Sequence, residues 1–175
     1  EVPNLKTKIN FLEYLLADDA YSRIIVFAKT KSTADNVFKY LERRKLGPAR
    51  VIHSNKGQNS RINAMNEFKE GKLRILVSTD ISARGIDVSR VSHVINFDVP
   101  IIYEDYVHRI GRTGRAKQEG VALTFANKAE MLHIAKIEKL IRQKIPVLQL
   151  PEAVEVATTE IEEKIAIERE IDDFK

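Results

Sequence analysis

The chain has 175 residues, enough for one domain with a substantial hydrophobic core. It contains no cysteine, which excludes a disulfide framework and a thiolate metal site. The net charge of +4 is uneven: residues 151–175 hold nine acidic and three basic residues, whereas residues 1–150 hold 26 basic and 16 acidic ones. A basic body suits a polyanionic partner, although the same charge also fits a soluble surface that binds nothing.

Apolar residues at helical spacing predict helices, and short runs of branched apolar residues predict strands. In chain order the expected elements are helix 5–17, strand 24–28, helix 32–46, strand 49–52, helix 58–70, strand 73–77, strand 91–97, helix 103–110, strand 121–125 and helix 129–143. Ser32 is the expected N-cap of its helix, and Gly47-Pro48 is expected to end that helix.

Strands that alternate with helices predict a parallel sheet covered by helices on both faces. Ligands of such sheets bind beyond the carboxyl ends of the strands. Polar segments occur at these positions, namely Lys29-Thr30 after the first strand, residues 53–61 after the second and residues 78–87 after the third. We therefore expect a site along this edge.

The segment from His108 to Arg115 reads His-Arg-Ile-Gly-Arg-Thr-Gly-Arg and follows a short predicted helix. Arginine offers a planar fork of donors that matches phosphate oxygens, and glycine lets the backbone turn sharply. The segment therefore predicts a pair of cations, Arg112 and Arg115, aimed at a nucleotide phosphate. The alternative is a solvated basic loop or a non-specific nucleic-acid patch.

A complete nucleotide-hydrolysing unit needs a phosphate cradle and a carboxylate that binds magnesium. The usual cradle, G-x-x-x-x-G-K-S/T, is absent from the sequence, and so is an Asp-Glu-Ala-Asp segment. The Gly71-Lys72 pair lacks the earlier glycine and is followed by Leu73. We therefore expect the chain alone not to hydrolyse ATP efficiently.

Four segments, in order, resemble motifs of the DEAD-box RNA helicases. The 108–115 segment resembles motif VI, Ser78 to Val88 resembles motif V, Ile24 to Phe27 resembles motif IV, and Gln58 to Arg61 resembles the Q-x-x-R element. The resemblance covers about residues 20–126 and implies the second, C-terminal RecA-like domain of such a helicase. The sequence of residues 53–56 is most similar to that of the bacterial RhlE-like branch.

The resemblance implies a nucleotide site shared with a first domain. Arg112 and Arg115 correspond to residues that reach the ATP γ-phosphate, and Asp87 to one that accepts a hydrogen bond from the ribose. ATP and Mg²⁺ would be bound mainly by the N-terminal RecA-like domain of the same protein, which this chain lacks.

Three further residues are assigned by resemblance to the link between domains. His108 would bond a carboxylate of the first domain, with an ordinary helix-end histidine as the alternative. Asp80 would hold the motif V segment against the motif VI segment, with helix capping or a satisfied turn as the alternative. Arg109 stays open between a structural ion pair and the cleft. Phe27 is expected in the core, where it could stack beneath a motif VI arginine.

RNA would contact the same edge of the sheet. The residues that the resemblance assigns to the RNA backbone are Thr30, Gln58, Arg61, Thr79, Arg84 and Gly85. For Arg61 the alternative is a solvated helix face. Contacts to the backbone alone predict sequence-independent binding. Because no apolar run approaches membrane-spanning length and the N-terminus is not a signal peptide, we expect a cytoplasmic protein with no membrane partner.

Two regions are expected, a helicase C-terminal RecA-like domain over residues 1–150 and an acidic extension over residues 151–175. Thr159 to Glu162 reads as a capping box for a charged helix that runs toward Phe174. A marginal, fraying helix is the favoured interpretation, and a docking segment for another surface or a second copy of the chain is the alternative.

Three functions compete on the sequence alone. The first is half of an ATP-dependent RNA helicase that unwinds duplexes locally. The second is a non-enzymatic module that binds RNA or protein, which has no need for Arg112, Arg115 and Asp87. The third is a DNA-acting helicase or repair enzyme of the wider superfamily, which the wording of the Q-x-x-R and motif V segments argues against.

Overall fold

The computed structural model describes residues 1–83, 91–110 and 121–175. Its elements are α1 (Leu5–Leu16), β1 (Ile24–Phe27), α2 (Lys31–Arg43), β2 (Ala49–Ile52), α3 (Gln58–Lys69), β3 (Ile75–Ser78), α4 (Asp80–Ala83), β4 (His93–Asn96), α5 (Glu104–Ile110), β5 (Val121–Thr124), α6 (Glu130–Ile141) and α7 (Ile161–Phe174).

The five strands form one parallel sheet in the order β2-β3-β1-β4-β5. Strand β1 lies in the middle, and all of its residues are buried. Alternate residues of β1 pack on opposite faces, because side chains along a strand point to either side of the sheet. Ile24 and Val26 join Leu12 of α1 and Val37 of α2 in one cluster. The residues between them pack with α3 in a second cluster, so the predicted sheet covered on both faces is confirmed.

Arg74 holds together the amino ends of the strands. Its guanidinium donates hydrogen bonds to the carbonyls of Leu16 at 2.6 Å, Tyr21 at 2.8 Å and Leu46 at 2.9 Å. Leu16 ends α1 and Leu46 follows α2, so the arginine satisfies acceptors that a helix end leaves without an intrahelical donor. The connection after α2 turns through Gly47, whose φ of +127° suits glycine.

The segment before α7 runs along α1 in the opposite direction. Asn4 caps α1 by accepting from the N–H of Thr7, while its Nδ2 donates to the carbonyl of Ala157 at 2.7 Å and to Oγ1 of Thr159 at 2.9 Å. Further along α1, Asn10 donates to the carbonyl of Glu155 at 2.9 Å.

Helix α7 rests on the body of the domain although none of its residues is buried. The ring of Phe174 meets His133 of α6 edge-on, with ring centroids 5.2 Å apart. The same histidine pairs with Glu170 at 3.3 Å, and the Leu5 N–H donates to Glu163 at 2.6 Å. The boundary that the sequence predicts at residue 150 stays a prediction.

Several local predictions are wrong at helix ends. The N-cap of α2 is Thr30 rather than Ser32, because the Thr30 hydroxyl accepts from the N–H of Thr33 at 3.1 Å. The expected capping box also fails, since α7 begins after Glu160 with no side-chain cap and Thr159 bonds Asn4 instead. The short helix α4 was not expected from the sequence.

Candidate functional site

The carboxyl ends of the strands meet at Arg109, on the last turn of α5. Its side chain is about 1% exposed. Nε and Nη2 donate to the two carboxylate oxygens of Asp80 at 2.5 and 2.7 Å, and Nη1 donates to the carbonyl of Asp98. The guanidinium lies over the ring of Phe27, 5.2 Å from its centroid. A buried guanidinium needs these partners, since it cannot lose its charge.

This cluster brings together three of the predicted segments. Phe27 ends β1, Asp80 begins α4 after β3, and Arg109 precedes the arginine segment. The predicted stacking of a motif VI arginine on Phe27 is confirmed. Asp80 and Arg109 form an ion pair within the domain, which is one of the two alternatives that the sequence left open for Arg109. Their part in an interdomain link stays a prediction.

Arg61 supports the start of the motif V segment. Its Nε and Nη2 donate to the carbonyl of Ser82 in α4 at 3.2 and 3.0 Å, and the residue is half-buried. The solvated helix face that the sequence offered as the alternative therefore does not describe this side chain. A contact between Arg61 and RNA stays a prediction.

A hollow of about 400 Å³ opens beside this cluster. It is lined by Lys29, Thr30, Lys31, Ser32, Ser54 and Thr79. Two of the residues predicted to face RNA, Thr30 and Thr79, thus share one depression whose lining carries two lysines and several hydroxyls. Cations and hydroxyl donors are groups that bind phosphate oxygens, so the hollow suits an anionic backbone.

The loop after β2 is held by hydrogen bonds of the His53 side chain. His53 is buried, its Nε2 lies 2.8 Å from Oδ1 of Asp35, and its Nδ1 accepts from the N–H of Asn55 at 3.2 Å. Because Nδ1 is an acceptor here, the ring proton lies on Nε2 and is donated to Asp35. The histidine therefore orients the loop that carries Ser54.

Two predicted site residues lie apart from the hollow and from Arg109's partners. Gln58 is exposed on the first turn of α3, and the side chain of His108 is 65% exposed, with Nδ1 3.6 Å from Asp105. Five others, Arg84, Gly85, Asp87, Arg112 and Arg115, lie outside the described residues. An exposed His108 is compatible with either of the roles that the sequence left open.

Sequence reasoning missed a buried triad next to this site. Lys8 of α1 contacts Glu130 at 2.6 Å and Asp98 at 3.2 Å, and Asp98 also accepts from the N–H of Lys29 at 2.8 Å. Burial alone would lower the pKa of Lys8, but the two carboxylates outweigh it and the pKa is raised. The available signal was a lysine on the apolar stripe that Leu12 and Leu15 define on α1.

Among the described residues no group of three or more His, Asp or Glu side chains could hold a metal ion. Within the same ranges, none of the helices has the length and apolar character required to cross a membrane.

The fold and its edge define a RecA-like domain. Residues 7–117 match the family described as the helicase conserved C-terminal domain, and the chain belongs to that family. The E. coli DEAD-box protein SrmB, solved with the regulator of ribonuclease activity A, aligns with a TM-score of 0.77 at 30% identity over 91% of this chain and 93% of that chain. Domain 2 of the DEAD-box helicase Mss116p, solved with an RNA duplex, aligns with a TM-score of 0.79 at 26% identity over 99% of this chain and 77% of that chain.

Curated relatives point to the same group. The chain is 41% identical to the ATP-dependent RNA helicase CshA of Listeria monocytogenes over 97% of its own length and 34% of the relative's. It is 43% identical to the ATP-dependent RNA helicase RhlB of Shewanella woodyi over 83% of its length and 33% of the relative's. The chain thus spans about a third of these relatives, and its homologues are DEAD-box RNA helicases. The narrower RhlE-like assignment stays a prediction.

Proposed function

We propose that this chain acts as the second RecA-like domain of an ATP-dependent RNA helicase that unwinds duplexes locally in the cytoplasm. The observation that carries the proposal is the buried Arg109, which ties the segments that resemble motifs IV, V and VI into one edge of the sheet. This edge supports the proposal because Arg109 is fixed close in sequence to the residues that we assign to phosphate. Phosphoryl transfer needs little more from a protein than positioning and charge stabilisation.

The catalytic contribution of this domain is assigned to Arg112 and Arg115. Arg109, shortly before them in the sequence, is fixed by Asp80, so the arginine segment starts from a rigid point. We assign Asp87 to the ribose of ATP. The nucleotide phosphates and Mg²⁺ would lie mainly on an N-terminal RecA-like domain, because this sequence contains no phosphate cradle.

RNA would lie in and beside the hollow that Thr30 and Thr79 line. We assign Gln58, Arg61, Arg84 and Gly85 to the same backbone contacts. Support comes from the relatives, since Dbp5 of S. cerevisiae was solved with RNA and ADP BeF3 and aligns with a TM-score of 0.77 at 27% identity. His108, Asp80 and Arg109 would link the domains when they close, with the Asp80–Arg109 pair as the fixed part of that link.

The decisive variant is Arg115→Ala in the two-domain protein. Because its charge is proposed to act only in the transition state, ATP turnover should fall at least about a hundredfold, at the cautious end of known arginine-finger effects. Arg112→Ala should behave similarly, and the double variant should lose less than the product of the single losses. Turnover is measured against RNA concentration, with thermal melts as a folding control.

Arg61→Ala is the matched comparison at the RNA side. It should weaken RNA affinity more than it slows turnover at saturating RNA. If Arg115→Ala keeps near wild-type turnover while Arg61→Ala abolishes turnover at saturating RNA, the assignment of the two groups of residues is wrong.

The chain by itself gives an independent test. It should show negligible ATP hydrolysis, even with RNA, and weak binding of unrelated RNA oligomers. For single strands log K should fall with log salt by about 0.7 per neutralised phosphate. Phosphate release well above a mock purification, or a strong base preference, contradicts the proposal.

A further inference from the structure

The turn after β4, residues Asp98 and Val99, is held from four elements at once. Lys8 of α1 and the N–H of Lys29 each contact one carboxylate oxygen of Asp98, at 3.2 and 2.8 Å. The carbonyl of Asp98 accepts from Arg109 of α5, and the N–H of Val99 donates to Glu130 of α6 at 2.7 Å. The two carboxylate oxygens and the carbonyl of Asp98, and the N–H of Val99, are therefore each bonded by a different part of the fold.

The attraction among the charges of Lys8, Asp98 and Glu130 adds little net stability by itself. Lys8 and Glu130 are buried, and bringing such charges out of water costs about as much free energy as their attraction returns. The two carboxylates also accept from the N–H groups of Lys29 and Val99, which apolar side chains would leave without these acceptors. Charged partners instead fix the positions of the atoms that they bond, because each bond has a narrow range of distance and angle.

Asp98 joins the two parts of the site that the proposed function separates. Its carboxylate holds the backbone of Lys29, next to Thr30 in the hollow. Its carbonyl holds Arg109, from which the chain leads to Arg112 and Arg115. The side chain of Asp98 is short. A shift of the Lys29 backbone must therefore either move the Asp98 turn or break the hydrogen bond between the Lys29 N–H and the Asp98 carboxylate. The contact with Arg109 receives that shift directly.

We infer that Asp98 is a positioning residue that couples RNA occupancy of the Lys29–Thr30 loop to the position of Arg109, and through Arg109 to ATP hydrolysis. The inference rests on the proposed function. Lys8 and Glu130 serve as the anchor of this link, since they hold the Asp98 turn against α1 and α6.

The test is Asp98→Asn in the two-domain protein. Both carboxylate oxygens of Asp98 accept hydrogen bonds, whereas an amide has only one acceptor oxygen. The isosteric substitution must therefore lose either the contact with Lys8 or the contact with the Lys29 N–H. RNA affinity is measured with and without a non-hydrolysable ATP analogue. The ratio of the two affinities should fall about tenfold, within the usual range of coupling between sites. ATP turnover at saturating RNA should fall with it.

Glu13→Gln is the matched control. Glu13 lies on the same helix as Lys8 and pairs with Arg44 at 2.8 Å, away from the turn. This variant should lose an ion pair that is more exposed than the triad, and it should keep the wild-type ratio. Thermal melts with and without the analogue check that each variant is folded in both measurements, because a bound nucleotide itself stabilises the folded state.

Glu130→Gln keeps the inference testable if Asp98→Asn does not fold. It weakens the anchor while an oxygen remains for the N–H of Val99, so the ratio should fall in the same direction by a smaller factor. A folded Asp98→Asn or Glu130→Gln variant with the wild-type ratio overturns the inference. If the wild-type two-domain protein shows no RNA-stimulated turnover, the proposed function itself fails and the inference falls with it.

Discussion

The two ends of the sheet are each held by one arginine, and the two arginines do different work. At the amino end, Arg74 donates to three neutral backbone carbonyls at two connections, those between α1 and β1 and between α2 and β2. At the carboxyl end, Arg109 pairs with the carboxylate of Asp80, lies over Phe27 and reaches one carbonyl. The first arginine closes the fold where no ligand is expected. The second joins the segments that we assign to ATP and RNA.

The two arginines differ in whether their partners can be replaced by mutation. Backbone carbonyls are present whatever the sequence, so Arg74 cannot be compensated by a second substitution. Asp80 is a side chain, so the pair at the carboxyl end can be replaced as a unit. Substitutions at the two ends should therefore differ in whether a second change restores stability.

Arg109→Met should have the largest effect on stability. It leaves the carboxylate of Asp80 in a largely buried place without its cation, which typically costs about 3–5 kcal/mol. Adding Asp80→Leu should recover at least about half of that loss, because replacing both members of a buried ion pair by apolar residues is often nearly neutral. Urea unfolding of this chain measures both variants. A double variant less stable than Arg109→Met contradicts the view that the pair can be exchanged.

The stable double variant also sharpens the functional side of the comparison. In the two-domain protein it should stay folded and yet lose most RNA-stimulated ATP turnover, because the arginine segment has lost its fixed starting point. Wild-type turnover in that folded variant would show that the pair serves the fold alone.

Arg74→Met should destabilise the chain by about 2 kcal/mol. Hydrogen bonds from a charged donor contribute more than neutral ones, but water can reach part of this half-exposed site and replace them. Turnover per folded molecule in the two-domain protein should remain close to wild type. A loss of turnover that exceeds the loss of folded protein would show that the amino end also serves the site.

Gly47→Ala should cost about 1–2 kcal/mol. The backbone φ of +127° disfavours any side chain, and a Cβ would lie 2.8 Å from Cδ of Arg74. Combined with Arg74→Ala, which removes Cδ, the substitution should cost less than the sum of the two single losses, since the clash with Cδ disappears and the backbone strain remains. Gly57→Ala is the control, because nothing lies within 4 Å of a Cβ there, and its effect should stay within about 0.5 kcal/mol.

The smallest effect should come from His93 at the amino end of β4, whose ring stacks on Tyr21 with centroids 3.8 Å apart. Partial burial lowers the pKa of His93 below its ordinary value of 6.5, against a weaker opposing effect of Asp18. Its contribution to the free energy of unfolding is therefore present above pH 6.5 and is lost as the pH falls through the lowered value. Between pH 7.5 and about 5, the free energy of unfolding should therefore fall less steeply in His93→Gln than in wild type, as unfolding curves will measure. A loss equal to that of wild type would contradict this account.

The sequence predicts the order of strands and helices because the signals for it are local. Periodicity in the first helix and the apolar run of β1 lie within short windows, and both predictions hold. Helix ends were less accurate, since Thr30 and Ser32 are both good caps and the choice depends on the geometry of the preceding strand. Helix α2 ends early because Lys45 adopts a φ of +51°, which its sequence does not signal.

The site was predicted where a resemblance supplied the partner and missed where it did not. The stacking of Arg109 on Phe27 followed from two motifs. Lys8 and Glu130 are far apart in the chain, and no local pattern pairs them. The sequence did not signal the bond from Arg61 to the carbonyl of Ser82, because a helix position alone says nothing about the element packed against it. The contact of Arg61 with RNA stays a prediction.

The path of the segment along α1 has a mechanical consequence. Its bonds to Asn4 and Asn10 succeed one another along the helix as the segment runs the opposite way. A force that draws residue 159 away from the domain therefore loads the bonds of the Asn4 amide first. The bond from the Ala157 N–H to Thr7 and then the bond at Asn10 are loaded after the Asn4 bonds break. Such a seam opens one bond at a time at low force. The parallel strands of the sheet, pulled along their length, would have to break a row of bonds together.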